Sequence, residues 1–129
     1  VRKYCANWGR VLAECGGMMY LCDTITDGDG KVYPMAGVLK QGATMEQMKL
    51  KLGYREVRVN SQRIRGHEFH YSRILPTNEK IPVIGTIYNA KDMVVDTPVY
   101  TYKNVLASYI HFYWGECGID HFLMLMSQK

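Results

Sequence analysis

The sequence predicts an α/β domain with a mixed, strand-rich sheet and flanking helices, on three observations. The apolar run Val11-Leu12-Ala13 ends in Glu14-Cys15-Gly16-Gly17 and passes into Met18-Met19-Tyr20-Leu21, good helix formers with no β-branched residue. That order reads as strand, tight turn and helix. From Tyr54 the pattern changes to period two, with Tyr54, Glu56 and Arg58 alternating with Arg55, Val57 and Val59. Near the end, Ile119, Phe122, Leu123 and Met126 return to helical spacing.

Taken in order, residues 1–7 predict the end of a helix stopped at Gly9, residues 10–14 a short buried strand and residues 16–22 a helix. Residues 23–31 carry two Asp-Gly turn signals and predict a loop. The spacing of its aspartates is partly that of a calcium loop, but the later ligand positions and terminal glutamate are missing. Residues 32–39 predict extended chain. Thr44 with Gln47 three residues on forms a capping box, predicting a short helix to about Leu50. Residues 63–74 and 81–89 predict strands, and residues 94–102 a hairpin that Pro98 places at an edge. Residues 104–113 predict a strong apolar strand ending near His111. A helix is expected over residues 118–127.

The chain has 129 residues, enough for one core, with 47% apolar and 22% charged residues, the values of an ordinary globular domain. The net charge of +4 comes from scattered residues, such as Arg55, Arg58, Arg63, Arg65 and Arg73, rather than a dense basic footprint. No nucleic-acid partner is expected. The apolar run Phe122–Met126 is too short to span a bilayer, so no membrane partner is expected. Cys5, Cys15, Cys22 and Cys117 lack paired-motif spacing and follow no secretory segment, which argues for a reducing, cytoplasmic setting.

Cys15 is the candidate nucleophile. A thiol on a strand–helix elbow stands clear of the sheet, and a helix N-terminus favours its thiolate. The alternative is a small buried hydrophobe. Gly16-Gly17 argue against it, because a core position has no need of bare backbone on its C-terminal side. His111, followed by Phe112-Tyr113-Trp114-Gly115, is the candidate partner, since thiol chemistry needs an imidazole to take and return a proton. A histidine that only hydrogen-bonds at the rim is the alternative. Gly66-His67-Glu68-Phe69-His70-Tyr71-Ser72 is a second polar cluster. Its histidines are three apart, so a strand points them to opposite faces and a shared metal is not expected. Either His70 or His67 is satisfied within the sheet with Glu68 in an ion pair, or one of the two faces lines a site. Cys15 and Cys22, seven apart with no second pair, make a weak metal motif, and no metal ligand is assigned.

Four blocks in this order resemble the glutamine amidotransferase domain of the cobyrinic acid a,c-diamide synthase family. They are Ala13-Glu14-Cys15-Gly16-Gly17-Met18-Met19-Tyr20-Leu21, Leu52-Gly53-Tyr54-Arg55-Glu56-Val57, Gly66–Ser72 as written above, and Asn104-Val105-Leu106-Ala107-Ser108-Tyr109-Ile110-His111. The resemblance implies the C-terminal part of a three-layer, flavodoxin-like class I amidotransferase fold over residues 1–129. The start of that domain and an N-terminal ATP-dependent synthetase domain are expected upstream. It implies that Cys15 is the nucleophile and His111 the catalytic histidine. Gly16 and Gly17 would serve the oxyanion and glutamine, and Glu68, His70 and Tyr113 would line the site. Tyr113 stands where the wider class has a glutamate, which predicts a Cys–His dyad. The implied activity is that of a carbon–nitrogen ligase amidating the a and c carboxylates of a corrinoid with ammonia from glutamine. Cobyric acid synthase, nickel-tetrapyrrole a,c-diamide synthase and a catalytically silent binding domain are the alternatives, with another thiol enzyme on a similar elbow. No cofactor is expected in this chain: ATP and Mg²⁺ belong to the upstream domain, since the sequence has no Gly-rich loop with Lys-Ser/Thr. A truncated piece is expected to be a weak glutaminase and to self-associate.

Overall fold

A computed structural model describes residues 1–59 and 61–117. Helix α1 (Arg2–Ala6) leads into strand β1 (Val11–Glu14) and helix α2 (Gly16–Leu21), as the sequence predicts. Strands β2 (Cys22–Thr26), β3 (Val32–Pro34) and β4 (Leu39–Thr44) follow, then the long pair β5 (Lys51–Val59) and β6 (Gln62–His70), and β7 (Arg73–Ile74). Next come β8 (Thr86–Tyr88), β9 (Val94–Val95), β10 (Val99–Tyr102), β11 (Val105–Ser108), β12 (His111–Phe112) and helix α3 (Trp114–Cys117). The helix expected over residues 118–127 lies outside the described residues. Among the described residues no helix is long and apolar enough to cross a membrane.

The described strands form three sheets, ordered β1-β11-β10, β12-β6-β5-β8-β9 and β3-β2-β4-β7. β1 lies parallel to β11 with Glu14 opposite Ser108, whereas β5 and β6 make a nine-residue antiparallel pair in unbroken register. β11 is buried along its whole length, and it separates two cores. Leu106 packs with Val57, Ile64, Ile87 and Ile110, while Val105 and Ala107 pack with Met18, Leu21 and Leu39. A strand buried on both faces reads as a continuous apolar run, which is how its sequence is written.

Four expectations need correction. Residues 23–26 are strand rather than loop, and Cys22 starts that strand rather than ending the helix, because Thr24, Ile25 and Thr26 pair in parallel with Gly42, Ala43 and Thr44 of β4. Only the Asp-Gly turns of that segment are as predicted: the Asp27 carboxylate accepts the Asp29 and Lys31 amides, both at 2.9 Å. Thr44 ends a strand and caps no helix. Its hydroxyl accepts the Glu46 N–H at 3.0 Å in a tight turn, Gln47 sits at φ 51°, and the Lys49 N–H donates to the Tyr71 carbonyl rather than to a helical partner. Residues 94–102 form no hairpin, since β9 and β10 belong to different sheets. The strand expected over residues 104–113 breaks after Ser108, whose hydroxyl accepts the Ile110 N–H at 3.1 Å and donates to the Pro98 carbonyl at 2.9 Å. The chain then crosses to another sheet, so His111 opens a strand rather than closing one.

That crossing depends on Gly66. β12 lies against β6 with Phe112 opposite Gly66 and His111 opposite His67. A Cβ at Gly66 would fall on the His111 carbonyl and within 2.8 Å of Ile110 Cγ2. Backbone cannot yield as a flexible side chain does. Gly66→Ala is expected to cost about 2–3 kcal/mol through overpacking, measurable by urea denaturation, and to displace His111.

Candidate active site

Cys15 sits at the elbow in a conformation that L side chains rarely adopt, with φ 51° and ψ −106°. Such a residue costs about 1–3 kcal/mol and persists only when its surroundings enforce it. Here the Cys15 N–H donates to the Ser108 carbonyl at 2.8 Å, and the Cys15 carbonyl accepts the Met19 N–H at 3.1 Å. Strand pairing holds one side of the residue and the first turn of α2 the other. The side chain is left half-buried at the sheet end.

No steric clash requires glycine at position 16 or 17. A Cβ at Gly16 would meet nothing within 4 Å, and one at Gly17 only Ala13 at an ordinary 3.6 Å. The strained position is Cys15 itself. Open space beside Gly16 leaves room for a bound group. The expectation of a favoured thiolate is also corrected. Burial pushes the Cys15 thiol up, and the hydrogen bond from the Gly16 N–H only partly opposes it. Helix α2 has six residues and adds little field.

His111 opens β12 in the other sheet, opposite His67 of β6. Its ring stacks on His67, with centroids 5.2 Å apart and planes at 19°, and His67 in turn meets Tyr113 at 5.7 Å. Tyr113 therefore packs on His67. Among the described residues no hydrogen bond joins Cys15 to His111. The link between their strands is made beside them, where the Phe112 N–H donates to Glu14 Oε2 at 2.6 Å.

Glu68 and His70 are brought together on the buried face of β6, and His67 points the other way, as period two requires. The Glu68 carboxylate accepts from Arg55 Nε at 2.9 Å and lies 3.0 Å from His70 Nε2. Gly53, opposite Glu68 in the register, makes room for the guanidinium: a Cβ there would lie 2.7 Å from Arg55 Nη1. Burial alone would push Glu68 up. Hydrogen bonds from His70 and Arg55, with the charge of Arg55, override it and hold the carboxyl at about 2. His70 Nδ1 lies 2.8 Å from the Ser72 carbonyl, and its ring stacks on Tyr109 at 3.6 Å. Ser72 Oγ bonds the Tyr109 hydroxyl at 2.9 Å and meets Met19 Sδ at 3.1 Å, which connects the network to the helix behind the elbow.

The network forms one wall of a cavity of about 570 Å³, rimmed by Lys49, Lys51, Arg73 and Asp96. The cavity does not reach Cys15 or His111. Sequence reasoning missed Arg55, Ser72, Tyr109 and Glu14. Alternation placed Arg55 on a strand, but only the pairing of β5 with β6 brings it to Glu68. Among the described residues no cluster of three His, Cys, Asp or Glu side chains is arranged to hold a metal ion. Cys5, Cys15 and Cys22 are free thiols, and burial drives Cys22 up to about 11.

Comparison with known proteins agrees with this architecture. The solved structure of a GMP synthase component from Thermoplasma acidophilum superposes with a TM-score of 0.50 at 13% identity, covering 97% of this chain and 61% of that one, and it supports the amidotransferase-like fold. The cobyrinate a,c-diamide synthase of Leptospira interrogans, serovar copenhageni, is 34% identical over 114 residues, 81% of this chain and 25% of the relative. The hydrogenobyrinate a,c-diamide synthase of Stutzerimonas stutzeri is 37% identical over 113 residues, 88% of this chain and 26% of the relative. The chain thus spans about a quarter of the length of the curated relatives it matches. The pattern of the CobB/CobQ-like glutamine amidotransferase domain matches residues 1–118, and the chain belongs to that family.

Proposed function

We propose that this chain is the glutamine-hydrolysing part of an ATP-dependent ligase that amidates the a and c carboxylates of a corrinoid or closely related tetrapyrrole. The observation that carries this reading is the elbow. A family of glutamine amidotransferases needs a nucleophile, and Cys15 is the thiol held half-exposed at positive φ where β1 passes into α2.

In this mechanism glutamine binds over the open space beside Gly16, and its side-chain amide carbon meets the sulfur. Because burial raises the thiol, the proton is removed as substrate arrives. His111 takes it, and the Cys15 sulfur attacks to give a tetrahedral oxyanion. The amide N–H groups of Gly16 and Gly17 are the donors this chain offers to that oxygen. The intermediate collapses with cleavage of the C–N bond, and His111 returns the proton to the departing ammonia. The γ-glutamyl thioester then reacts with water, His111 acting as base, and glutamate leaves. A Cys15–His111 dyad suffices for these transfers. Glu68 and His70 support the wall behind α2, and Tyr113 acts through His67.

The residues present do not fit an ATP and Mg²⁺ site: the sequence has no Gly-rich phosphate loop, and no step is assigned to them. Amidation belongs to a synthetase domain preceding this chain in one cytoplasmic polypeptide, where the corrinoid carboxylate is the partner. A glutamine-like electrophile tests the reading. It is expected to label Cys15 with protection by free glutamine, while Cys5 and Cys22, both fully buried, stay unmodified. Labelling that glutamine leaves unchanged would point to another thiol enzyme. No labelling, with Cys15 open to a general alkylating agent, would point to a silent domain.

A further inference from the structure

We infer that Glu14 is a positioning residue that sets the spacing between Cys15 and His111, an inference that rests on the glutaminase reading above. Cys15 and His111 belong to different sheets, and their strands are not paired with each other. Glu14 immediately precedes the thiol, and Phe112 immediately follows the imidazole. The 2.6 Å bond from the Phe112 N–H to Glu14 Oε2 therefore ties the two sheets one residue from each reacting group.

The geometry explains why a side chain makes this tie. Beyond β12 the Tyr113 N–H donates to the Arg65 carbonyl of β6 at 2.9 Å, so the neighbouring Phe112 N–H faces away from that sheet. Among the described residues it is an edge donor with no strand beside it, and the carboxylate at the end of β1 is the acceptor it finds. Two further bonds fix the segment upstream of His111: the Ser108 carbonyl accepts the Cys15 N–H, and the Ser108 hydroxyl accepts the Ile110 N–H. His111 thus lies between two amides, those of Ile110 and Phe112, each held by a side-chain oxygen. Without Glu14 the upstream anchor remains, but β12 is free to shift relative to the elbow.

The test is made on the complete protein, reading glutamate release from glutamine and, separately, amidation supplied with ammonia. Glu14→Ala is expected to lower kcat for glutamate release by about 10- to 100-fold, the scale of an ångström-level misplacement. KM for glutamine should stay within about twofold and ammonia-driven amidation should be unchanged. Glu14→Gln keeps an oxygen that accepts the same N–H and is expected to recover most of kcat. Glu14→Asp, one methylene short, should behave like the alanine variant and covers the case in which alanine does not fold. The Phe112 amide resonance should move in the alanine variant and hold in the glutamine one. A glutamine variant as slow as alanine, an alanine variant with unaltered kcat, or loss appearing in KM alone would overturn the assignment. Absence of glutamate release from the unsubstituted protein would overturn the glutaminase reading and this one with it. Release that is indifferent to Glu14 overturns only the positioning role.

Discussion

Cys15→Ser is expected to lower glutamate release by at least about 10⁴-fold, the scale on which enzymes lose rate when a nucleophile is replaced. Ammonia-driven amidation in the complete protein should survive, because in the proposed reaction the elbow handles only glutamine. Cys15→Gly should be equally inactive yet fold more tightly. It relieves an L residue held at φ 51°, and removal of that strain is expected to raise stability by about 1 kcal/mol in urea denaturation. The pair of variants separates chemistry from folding: serine retains the strain and glycine sheds it, while both lose the reaction. Since burial raises the thiol, alkylation of unsubstituted Cys15 without glutamine should accelerate steadily as pH rises from about 6 to about 9. A rate already level at neutral pH would contradict that surrounding.

Glu68→Leu is expected to destabilise the domain by about 3–5 kcal/mol, the usual consequence of stranding one partner of a buried ion pair. Both Glu68 and Arg55 have side chains almost wholly removed from water, 0% and 8% exposed, so solvent does little to shield what remains. Melting should fall by about 10–20 °C for a chain of this size. Pairing the change with Arg55→Met should recover much of the loss, because then no uncompensated charge stays inside. Acidification reads the same bond. The Glu68 carboxyl ionises at about 2 in the folded chain, below its ordinary 4.5. Its contribution, about 3 kcal/mol by linkage, is therefore complete above about pH 4.5 and disappears as pH falls through about 2. Glu68→Gln should flatten that acid limb of the stability profile. An unaltered limb would assign acid sensitivity to other carboxylates.

The elbow and the β5/β6 pair were legible in the sequence because each rests on local chemistry. Val11 to Leu21 changes from sheet to helix formers across one turn, and Tyr54 to Val59 alternates faces without interruption. Thr44 misled because a hydroxyl followed by Glu46 and Gln47 serves a helix start and a tight turn equally well. The left-handed Gln47 and the bond from the Lys49 N–H to the Tyr71 carbonyl decided between them. Cys22 to Thr26 was obscured by the turn signals just after it. Nothing in Val105 to Ile110 shows that the Ser108 hydroxyl bends the chain out of one sheet and into another. The tie from Glu14 to Phe112 spans 98 positions, and so distant a partner leaves no local trace. For Glu68, the ion-pair reading was available at the sequence level, but its partner Arg55 could be chosen only with the register of the strands known.

The break at Tyr109 and Ile110 has a mechanical consequence. Sulfur and imidazole ride on separate plates, and in the proposed reaction ammonia production would depend on how the buried Tyr109–Ile110 link and the Glu14 tie hold those plates aligned. A neighbouring domain that grips one plate harder when its own substrate is loaded could turn hydrolysis up or down without touching glutamine. To do so it needs only unequal affinity for the two alignments, and a nitrogen donor wired in that fashion would waste little of its fuel.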